Sequence, residues 1–340
     1  MPLRRVIKYF EITAKRLKKL ELGTIPFRLS TLVEPFQQAE VEHRLSKRVL
    51  VTCLEYEVPV VISTKSVLIR QSPWRELILK LANKGLILVQ VSLSSFIDKV
   101  SEILEPRAPS PHDRLKLVEE LTESGVPVMI RYQPFIPGVS DNEDSLVELF
   151  SELERVGVKH LVVESLRLPS KELNFVRKIL KERNMWHEVP LESYGAKNES
   201  FFLRPSILWR VNAYKVIKRL CDKHGIKFAT CKEGLYDLWT AEDCCGLYLL
   251  SSERVKYRVT LREFLELTSG LRLLPSYDKV IKKLDLEKYL CSTNVSPYPR
   301  VIKTGIKSPE KKLFKVISDR SLVERLIDET AYDRLIRGEF

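Results

Sequence analysis

Long apolar runs are missing from this sequence, and none approaches the ~20 consecutive apolar residues that a membrane-spanning helix needs. The opening residues, Met1 to Val6, also lack the apolar stretch of a secretory signal. Glycine is scarce, at 12 of 340 residues, which excludes a collagen-like chain, and 44% hydrophobic residues exclude a disordered one. We therefore expect a soluble, cytoplasmic protein with no membrane partner.

Cysteine and histidine are also sparse. The six cysteines do not form a disulfide framework for so long a chain, and no cysteine precedes Cys53, which falls within a predicted helix. The five histidines show no metal-ligand spacing and no serine or cysteine triad partner. These absences argue against a disulfide-stabilised secreted domain and against a histidine-based catalytic centre.

Acidic residues are outnumbered, 45 against 57 Lys and Arg, which gives a net charge of +12. Residues 1–20 carry +6 and residues 251–320 carry +8, whereas residues 21–250 sum to zero. One interpretation is that the basic ends bind nucleic acid or another polyanion. The other is a well-solvated surface in a charge-rich, thermophilic protein.

Strand-like segments rich in Val, Ile and Leu alternate with amphipathic helical segments in the first half of the chain. Such alternation is typical of βαβ units and predicts a parallel sheet covered by helices. The predicted strands are 24–31, 59–64, 86–93, 126–132 and 159–166. The predicted helices are 5–20, 39–55, 74–83, 110–124, 144–156 and 170–183.

The pattern changes after residue 190, so we predict three segments. We expect residues 1–190 to form a partial β/α barrel, residues 191–250 a strand-helix segment that contains cysteines, and residues 251–340 a basic, mainly helical extension. In the extension, a linker with Pro297 and Pro299 precedes two short helices. The middle segment contains a predicted helix over 208–224 and a predicted strand over 226–230.

Polar residues end three successive predicted strands. Lys65 follows one strand between hydroxyl residues, Ser92 ends the next, and Arg131 ends the one after. Because the ends of parallel strands converge, these residues predict a shared pocket for a carboxylate or phosphate ligand. The alternative for Lys65 is an ordinary surface lysine.

A proline-rich stretch runs from Glu105 to Arg114. It predicts a stiff loop in which Ser110 is a helix N-cap and Pro111 lies in the first turn. An ion pair between Glu105 and Arg114 would fix this loop.

Cys231, Cys244 and Cys245 lie in a loop-rich segment, with Cys221 upstream. Three or four thiolates are able to bind an iron–sulfur cluster or zinc. The spacing contains no C-x-x-C pair, however, and adjacent cysteines rarely bind one metal. The alternative is a set of buried or reduced thiols.

A resemblance to a known family rests on five segments in order, which are Thr31–Glu40 (with Glu34-Pro35-Phe36-Gln37), Ser63–Ser66, Val91–Leu93, Glu105–Arg114 and Pro134–Asp141. The succession is similar to radical SAM enzymes related to spore photoproduct lyase, often labelled DNA repair photolyase-like, and covers roughly residues 5–166. The resemblance implies the α/β class, with a partial (β/α)6 barrel that lacks its first strand and a mainly helical C-terminal extension.

The resemblance also implies a cofactor. Lys65 and Ser92 match positions expected to hold the carboxylate and the amino or ribose groups of S-adenosylmethionine, and Glu34 and Arg131 would line the same pocket. In the family, a four-iron cluster cleaves S-adenosylmethionine reductively to a 5′-deoxyadenosyl radical. An enzyme of lyase or oxidoreductase type with an unknown substrate would follow.

The sequence departs from the family at the cluster. The family binds it through three cysteines, separated by three and then two residues, in the loop after the first strand, and this chain has none before Cys53. One interpretation is that the sequence starts after its cluster loop and is inactive as it stands. The alternative is a degenerate barrel without a cluster that acts as a nucleic-acid-binding or scaffold protein.

Overall fold

The structure is a computed structural model that describes residues 3–30, 32–194, 202–268, 277–319 and 321–323. The strands are β1 (Phe27–Leu29), β2 (Val60–Thr64), β3 (Ile87–Leu93), β4 (Val128–Phe135), β5 (His160–Ser165), β6 (Leu168–Pro169), β7 (Leu191–Ser193), β8 (Phe202–Pro205), β9 (Lys227–Thr230), β10 (Tyr257–Arg258) and β11 (Tyr289–Leu290). The helices are α1 (Leu3–Lys19), α2 (Ala39–His43), α3 (Leu45–Tyr56), α4 (Trp74–Ala82), α5 (Asp98–Leu104), α6 (Pro111–Glu123), α7 (Glu143–Arg155), α8 (Ser170–Lys181), α9 (Ile207–Lys223), α10 (Leu261–Thr268), α11 (Tyr277–Ile281) and α12 (Arg300–Ile317).

Six parallel strands form the main sheet, in the order β1-β2-β3-β4-β5-β9. Its strands are runs of Val, Ile and Leu, which favour extended backbone and fill a sheet that is covered on both faces. The sixth strand, β9, comes from the predicted middle segment and pairs with β5. The α/β class and the parallel sheet predicted from the sequence are confirmed.

Helices cover one face of the main sheet. Alternate strand residues such as Ile62, Val89 and Ile130 pack there against side chains of α3, α4, α6, α7 and α9. We call the opposite face the inner face. Its side chains belong to the other alternate residues, which include Arg28, Val61, Ser63, Leu88, Gln90, Met129, Arg131, Val162 and Ala229.

Part of the inner face is apolar and covered by the segment 239–257. The residues in this contact are Val61, Leu88, Met129, Val162 and Ala229 of the sheet and Trp239, Leu247, Leu250 and Val255 of the covering segment. Ser63, Gln90 and Arg131 come two positions after the apolar residues of β2, β3 and β4. The inner face therefore changes from apolar to polar toward the carboxyl ends of its strands.

The helix predicted over 39–55 forms as two helices, α2 and α3. Arg44 breaks the helix with a φ of 52°, in the left-handed region. The buried carboxylate of Glu40 then accepts the N–H groups of Ser46 at 3.0 Å and Lys47 at 2.8 Å. Glu40 thus satisfies two backbone donors that the start of α3 leaves free.

Of the two short helices predicted after Pro299, the first is longer than expected; residues 321–323 are helical as well, and the residues after them lie outside the described part of the chain. One helix of 18 residues, α12, begins at Arg300 and continues through Pro309. Its Ile306 packs with Leu17 of α1, and the Tyr298 hydroxyl donates to the Gly23 carbonyl at 2.8 Å. The two basic ends of the sequence are therefore neighbours in the fold.

In the described part of the chain, no helix combines the length and the apolar character needed to cross a membrane.

Candidate functional site

A cluster of polar side chains lies on the inner face, beyond its apolar part. The fully buried Gln90 is at the centre, and its Oε1 accepts hydrogen bonds from Ser63 Oγ at 2.8 Å, Arg28 Nη1 at 2.8 Å and Arg131 Nη1 at 3.1 Å. These side chains meet because alternate residues of neighbouring parallel strands share a face. We call Arg28, Ser63, Gln90 and Arg131 the Gln90 cluster.

The two guanidinium groups of the Gln90 cluster contact neutral partners. Besides Gln90, Arg28 donates to Ser63 Oγ at 3.3 Å, and Arg131 Nη2 donates to Gln133 Oε1 at 2.7 Å. Among the described residues, neither arginine forms an ion pair with a carboxylate. The cluster therefore carries two positive charges that no carboxylate balances at contact distance.

An unused donor lies beside these charges. The Nε2 atom of Gln133 is buried and has no hydrogen-bond partner in the described structure, while its Oε1 accepts from Arg131. A buried N–H group without a partner is uncommon in a folded protein. Its position beside Arg131 indicates a place where a ligand oxygen would complete the bonding.

Two adjacent thiols lie next to the Gln90 cluster. The Sγ atoms of Cys244 and Cys245 are 3.7 Å apart, and Gln90 Nε2 donates to the Cys245 carbonyl at 2.8 Å. The hydrogen bond with Cys244, helped by the charges of Arg28 and Arg131, outweighs burial and lowers the pKa of the Cys245 thiol to about 6. These contacts therefore favour the thiolate form of Cys245.

Asp243 holds the turn that presents these thiols. Its carboxylate accepts the N–H groups of Cys245 at 2.7 Å, Leu247 at 3.2 Å and Tyr248 at 3.2 Å. Burial raises the pKa of the Asp243 carboxyl, and these three hydrogen bonds oppose the rise. Gly246 completes the turn with a φ of 72°, a left-handed conformation that favours glycine.

The remaining predicted cysteines have different surroundings. Cys231 follows β9. Cys231 and Cys245, together with burial, raise the pKa of the Cys244 thiol well above its usual value. Cys221 is buried in α9, in the core on the helical side. Within the described ranges, no group of three or more His, Cys, Asp or Glu side chains is arranged to hold a metal ion. The metal site predicted at Cys231, Cys244 and Cys245 stays a prediction.

Lys65 is engaged by a carboxylate of the protein itself. Its ammonium pairs with Glu105 Oε1, while Glu105 Oε2 lies 2.7 Å from Nη2 of the buried Arg114. Arg114 Nη1 also donates to the Ser92 carbonyl at 2.8 Å. This network confirms the predicted Glu105–Arg114 ion pair. The Lys65 ammonium keeps two more donors, and the side chain is 37% exposed.

Glu34 acts on the backbone beside Lys65. Its Oε1 accepts from Thr64 Oγ1 at 2.6 Å and from the Phe36 N–H at 3.0 Å, and its Oε2 accepts the Lys65 N–H at 2.7 Å. The carboxylate thus ties the loop after β1 to the end of β2. Glu34 positions Lys65, and in this structure its contacts lie within the protein.

Ser92 and Arg131 lie directly opposite each other in the register of β3 and β4. Lys65 follows the adjacent strand β2 and connects to Ser92 through the ion-pair network. The three residues predicted to share a pocket are therefore at the carboxyl ends of three neighbouring strands. The structure adds the Gln90 cluster immediately below them.

Sequence reasoning missed Arg28, Gln90, Gln133 and Asp243. Arg28 and Gln90 are polar residues within apolar strands, at alternate positions whose side chains lie on the inner face. That placement was a usable signal. Asp243 gave no such signal, because its role depends on a turn that no periodic pattern describes.

Comparison with known proteins relates part of the chain to a family. Residues 7–151 match the model of the Radical SAM superfamily. The match covers less than half of the chain, so the resemblance to the radical SAM superfamily is a property of this region. The region contains every member of the Gln90 cluster together with Lys65 and Ser92, whereas the cysteine segment lies outside it.

Two curated proteins resemble part of the chain. "Uncharacterized protein ORF301" of Acidianus two-tailed virus is 29% identical over 141 residues, which are 41% of this chain and 46% of that protein. "Radical SAM Nalpha-GlyT isomerase" of Pseudomonas phage M6 is 25% identical over 149 residues, which are 42% of this chain and 30% of that protein. The chain thus spans less than half the length of these two relatives.

Solved structures share the radical SAM fold. A cysteine-to-alanine mutant of spore photoproduct lyase has a TM-score of 0.52 at 13% identity, covering 68% of this chain and 67% of that chain. The same mutant with dinucleoside spore photoproduct has a TM-score of 0.51 at 14% identity, covering 68% of each chain. At this level of identity the likeness concerns the fold alone.

The radical SAM superfamily implies S-adenosylmethionine and an iron–sulfur cluster. The described residues do not fit the cluster, because they bring no set of three thiolates into a metal-binding arrangement. They do fit S-adenosylmethionine, because the carboxyl edge presents two cations and an unpartnered amide donor. An amino-acid carboxylate has the charge that such groups bind.

Proposed function

We propose that this chain is a radical SAM protein that binds S-adenosylmethionine at the carboxyl edge of its main sheet. The observation that carries the proposal is the placement of Lys65, Ser92 and Arg131 at the ends of adjacent strands within the superfamily region. Ligands of open parallel sheets bind at this edge because the loops that follow the strands enclose it.

Each residue has a defined part in this binding. Arg131 and the two remaining donors of Lys65 hold the ligand carboxylate, and Ser92 offers a hydroxyl to its amino or ribose group. Glu105 and Glu34 are positioning residues: one holds the Lys65 ammonium and the other its backbone N–H. When bound, S-adenosylmethionine supplies a sulfonium carbon–sulfur bond that radical SAM proteins cleave reductively.

We assign S-adenosylmethionine binding to these residues. We do not assign them a step of radical chemistry. The phage M6 relative is called an isomerase, and spore photoproduct lyase is a lyase. Either reaction type is compatible with S-adenosylmethionine binding at this site.

Equilibrium dialysis with radiolabelled S-adenosylmethionine tests the proposal. We expect saturable binding that excess 5′-methylthioadenosine, which lacks the amino-acid group, displaces only weakly. An absence of saturable binding at millimolar ligand would overturn the proposal. If 5′-methylthioadenosine displaced the label as well as unlabelled S-adenosylmethionine does, the role of the ligand carboxylate would be overturned.

A second candidate function, binding of single-stranded nucleic acid, is favoured by the contact between α1 and α12. The fold joins the two basic ends of the sequence into one surface, which carries a single acid on each helix, Glu11 and Glu310. Its exposed or half-buried basic residues are Arg5, Lys8, Lys15, Arg16, Lys18, Lys19, Arg300, Lys303, Lys307, Lys311, Lys312 and Lys315.

The salt dependence of binding tests this candidate. Each phosphate contact to a single strand contributes about −0.7 to the slope of log affinity against log salt. Replacing Lys311, Lys312 and Lys315 with alanine should therefore make the slope for single-stranded DNA shallower, whereas Lys80→Ala on α4 should leave it unchanged. An affinity for single-stranded DNA that does not change with salt concentration would contradict this candidate function. Binding to anionic vesicles in place of DNA would contradict it as well.

A further inference from the structure

Arg28 and Arg131 approach each other from strands that are not neighbours. β1 and β4 are separated by β2 and β3, yet both guanidinium groups donate to the same oxygen, Oε1 of Gln90. Two like charges that share one neutral acceptor repel each other. A fold keeps such an arrangement more easily when a negative group occupies the space between them.

Two other arginines, which are fully buried, form ion pairs with carboxylates. Arg114 pairs with Glu105 at 2.7 Å, and Arg210, whose side chain is fully buried, pairs with Glu192 and Glu233. The pair in the Gln90 cluster differs, since in the described structure it has neutral acceptors only. The missing carboxylate is therefore a local property of the inner face.

The donors that remain match an oxyanion. Within the described ranges, both hydrogen bonds of Arg28 leave from Nη1, so its other N–H groups are available, and Gln133 Nε2 is buried without a partner. Planar guanidinium groups bind carboxylate and phosphate oxygens with paired hydrogen bonds. Arg28 and Arg131 are only half-buried, so a ligand has access to them.

We infer that Arg28, Arg131 and Gln133 form an oxyanion subsite on the inner face that takes a carboxylate or phosphate group. Two sources carry this chemistry: the carboxylate of S-adenosylmethionine, or a phosphate of the substrate. The first source rests on the proposed function, whereas the second does not need it.

Cys245 is a built-in reporter for this subsite. Its thiolate lies within the influence of the same two guanidinium groups. An oxyanion bound between them would compete for their charge, so the thiolate would become less stable and react more slowly with iodoacetamide.

The first measurement is calorimetric titration of the full chain with inorganic phosphate, and the second is the alkylation rate of Cys245, followed by peptide mass spectrometry. We expect saturable phosphate binding and at least threefold slower alkylation at saturation. Arg28→Gln should abolish both effects, and Arg131→Lys, which keeps the charge, should retain part of the binding. Arg75→Gln, at an exposed site on α4, is the matched control.

Titration with S-adenosylmethionine separates the two sources. If the carboxylate of S-adenosylmethionine occupies the subsite, Arg28→Gln weakens S-adenosylmethionine binding at least tenfold. If a substrate phosphate occupies it, Arg28→Gln leaves S-adenosylmethionine binding unchanged and abolishes only phosphate binding. Failure of the wild type to bind S-adenosylmethionine would overturn the proposed function while phosphate binding still supports the subsite. The subsite is overturned if neither ligand binds in a way that depends on Arg28.

Discussion

The carboxylate of Glu105 lies 2.7 Å from the guanidinium of Arg114, and the Arg114 side chain is only 1% exposed. The other oxygen of Glu105 pairs with the Lys65 ammonium. One carboxylate therefore neutralises a buried cation and holds a half-exposed cation at the edge of the sheet. Stability and the candidate site depend on the same residue.

Removing Glu105 should destabilise the protein strongly. Glu105→Ala leaves the Arg114 charge buried without an opposite charge, a change that typically costs about 3–5 kcal/mol. Urea unfolding followed by circular dichroism measures it. Glu120→Ala, which removes a half-exposed ion pair with Arg70, should cost at most about 1 kcal/mol. Equal losses for the two variants would contradict the role of Glu105.

The same carboxylate should make stability sensitive to acid. Burial opposes ionisation of Glu105, but the charges and hydrogen bonds of Lys65 and Arg114 outweigh it, and the pKa lies below its ordinary value of 4.5. Its contribution is therefore complete above about pH 4.5 and is lost as pH falls through the lower, folded-state pKa. The gap in unfolding free energy between wild type and Glu105→Gln should be constant from pH 7 to 5 and shrink below 4.5. A gap that widens in acid would refute this assignment.

Lys65→Ala should weaken S-adenosylmethionine binding at least tenfold, or about 1.4 kcal/mol, because it removes a cation from the edge that receives the ligand carboxylate. Calorimetry measures the affinity. Lys80→Ala, an exposed lysine on α4, should have no effect. Unchanged affinity in Lys65→Ala would remove Lys65 from the site.

Gly246→Ala should destabilise the cysteine turn more than an ordinary glycine substitution. Gly246 has a φ of 72°, and an added Cβ would lie 2.8 Å from Met129 Sδ. Gly225 is a matched control, because its φ is 65° and a Cβ there would meet nothing within 4 Å. Gly225→Ala should cost about 1 kcal/mol for the backbone, and Gly246→Ala a further ~1–3 kcal/mol for the crowding. Equal costs in thermal unfolding would show that the turn adapts freely.

Cys245 should react at lower pH than an ordinary thiol. Its alkylation rate should rise with a midpoint near its pKa of about 6. Cys244→Ala should move the midpoint upward, since the hydrogen bond from Cys244 is the largest cause of the shift. The buried Cys53 and Cys221 should stay unreactive in the folded protein. A Cys245 midpoint near 9 would contradict the geometry of the cluster.

Periodic features of the fold were predictable. Apolar runs such as residues 87–93 mark buried parallel strands. Ser110 was predicted to be an N-cap, and in the structure its hydroxyl accepts the Asp113 N–H at 3.1 Å. The Glu105–Arg114 pair followed from charges that flank a stiff loop. In each case the signal lies within a few neighbouring residues.

Features that depend on distant contacts or very short elements were not predictable. β6, β7 and β8 have two to four residues each, too few to show a period, although they form a separate antiparallel sheet. The left-handed Arg44 is held by the Glu40 carboxylate, which accepts backbone N–H groups of the next helix. The contact between Gln90 and Cys245 spans 155 residues, so no local pattern contains it.

A crystal structure of the complex with S-adenosylmethionine tests the central claim most directly. The account predicts the amino-acid carboxylate of the ligand within hydrogen-bond distance of Lys65 or Arg131, at the carboxyl ends of β2 to β4. A ligand found on another surface, with both side chains keeping only their present protein partners, would contradict it.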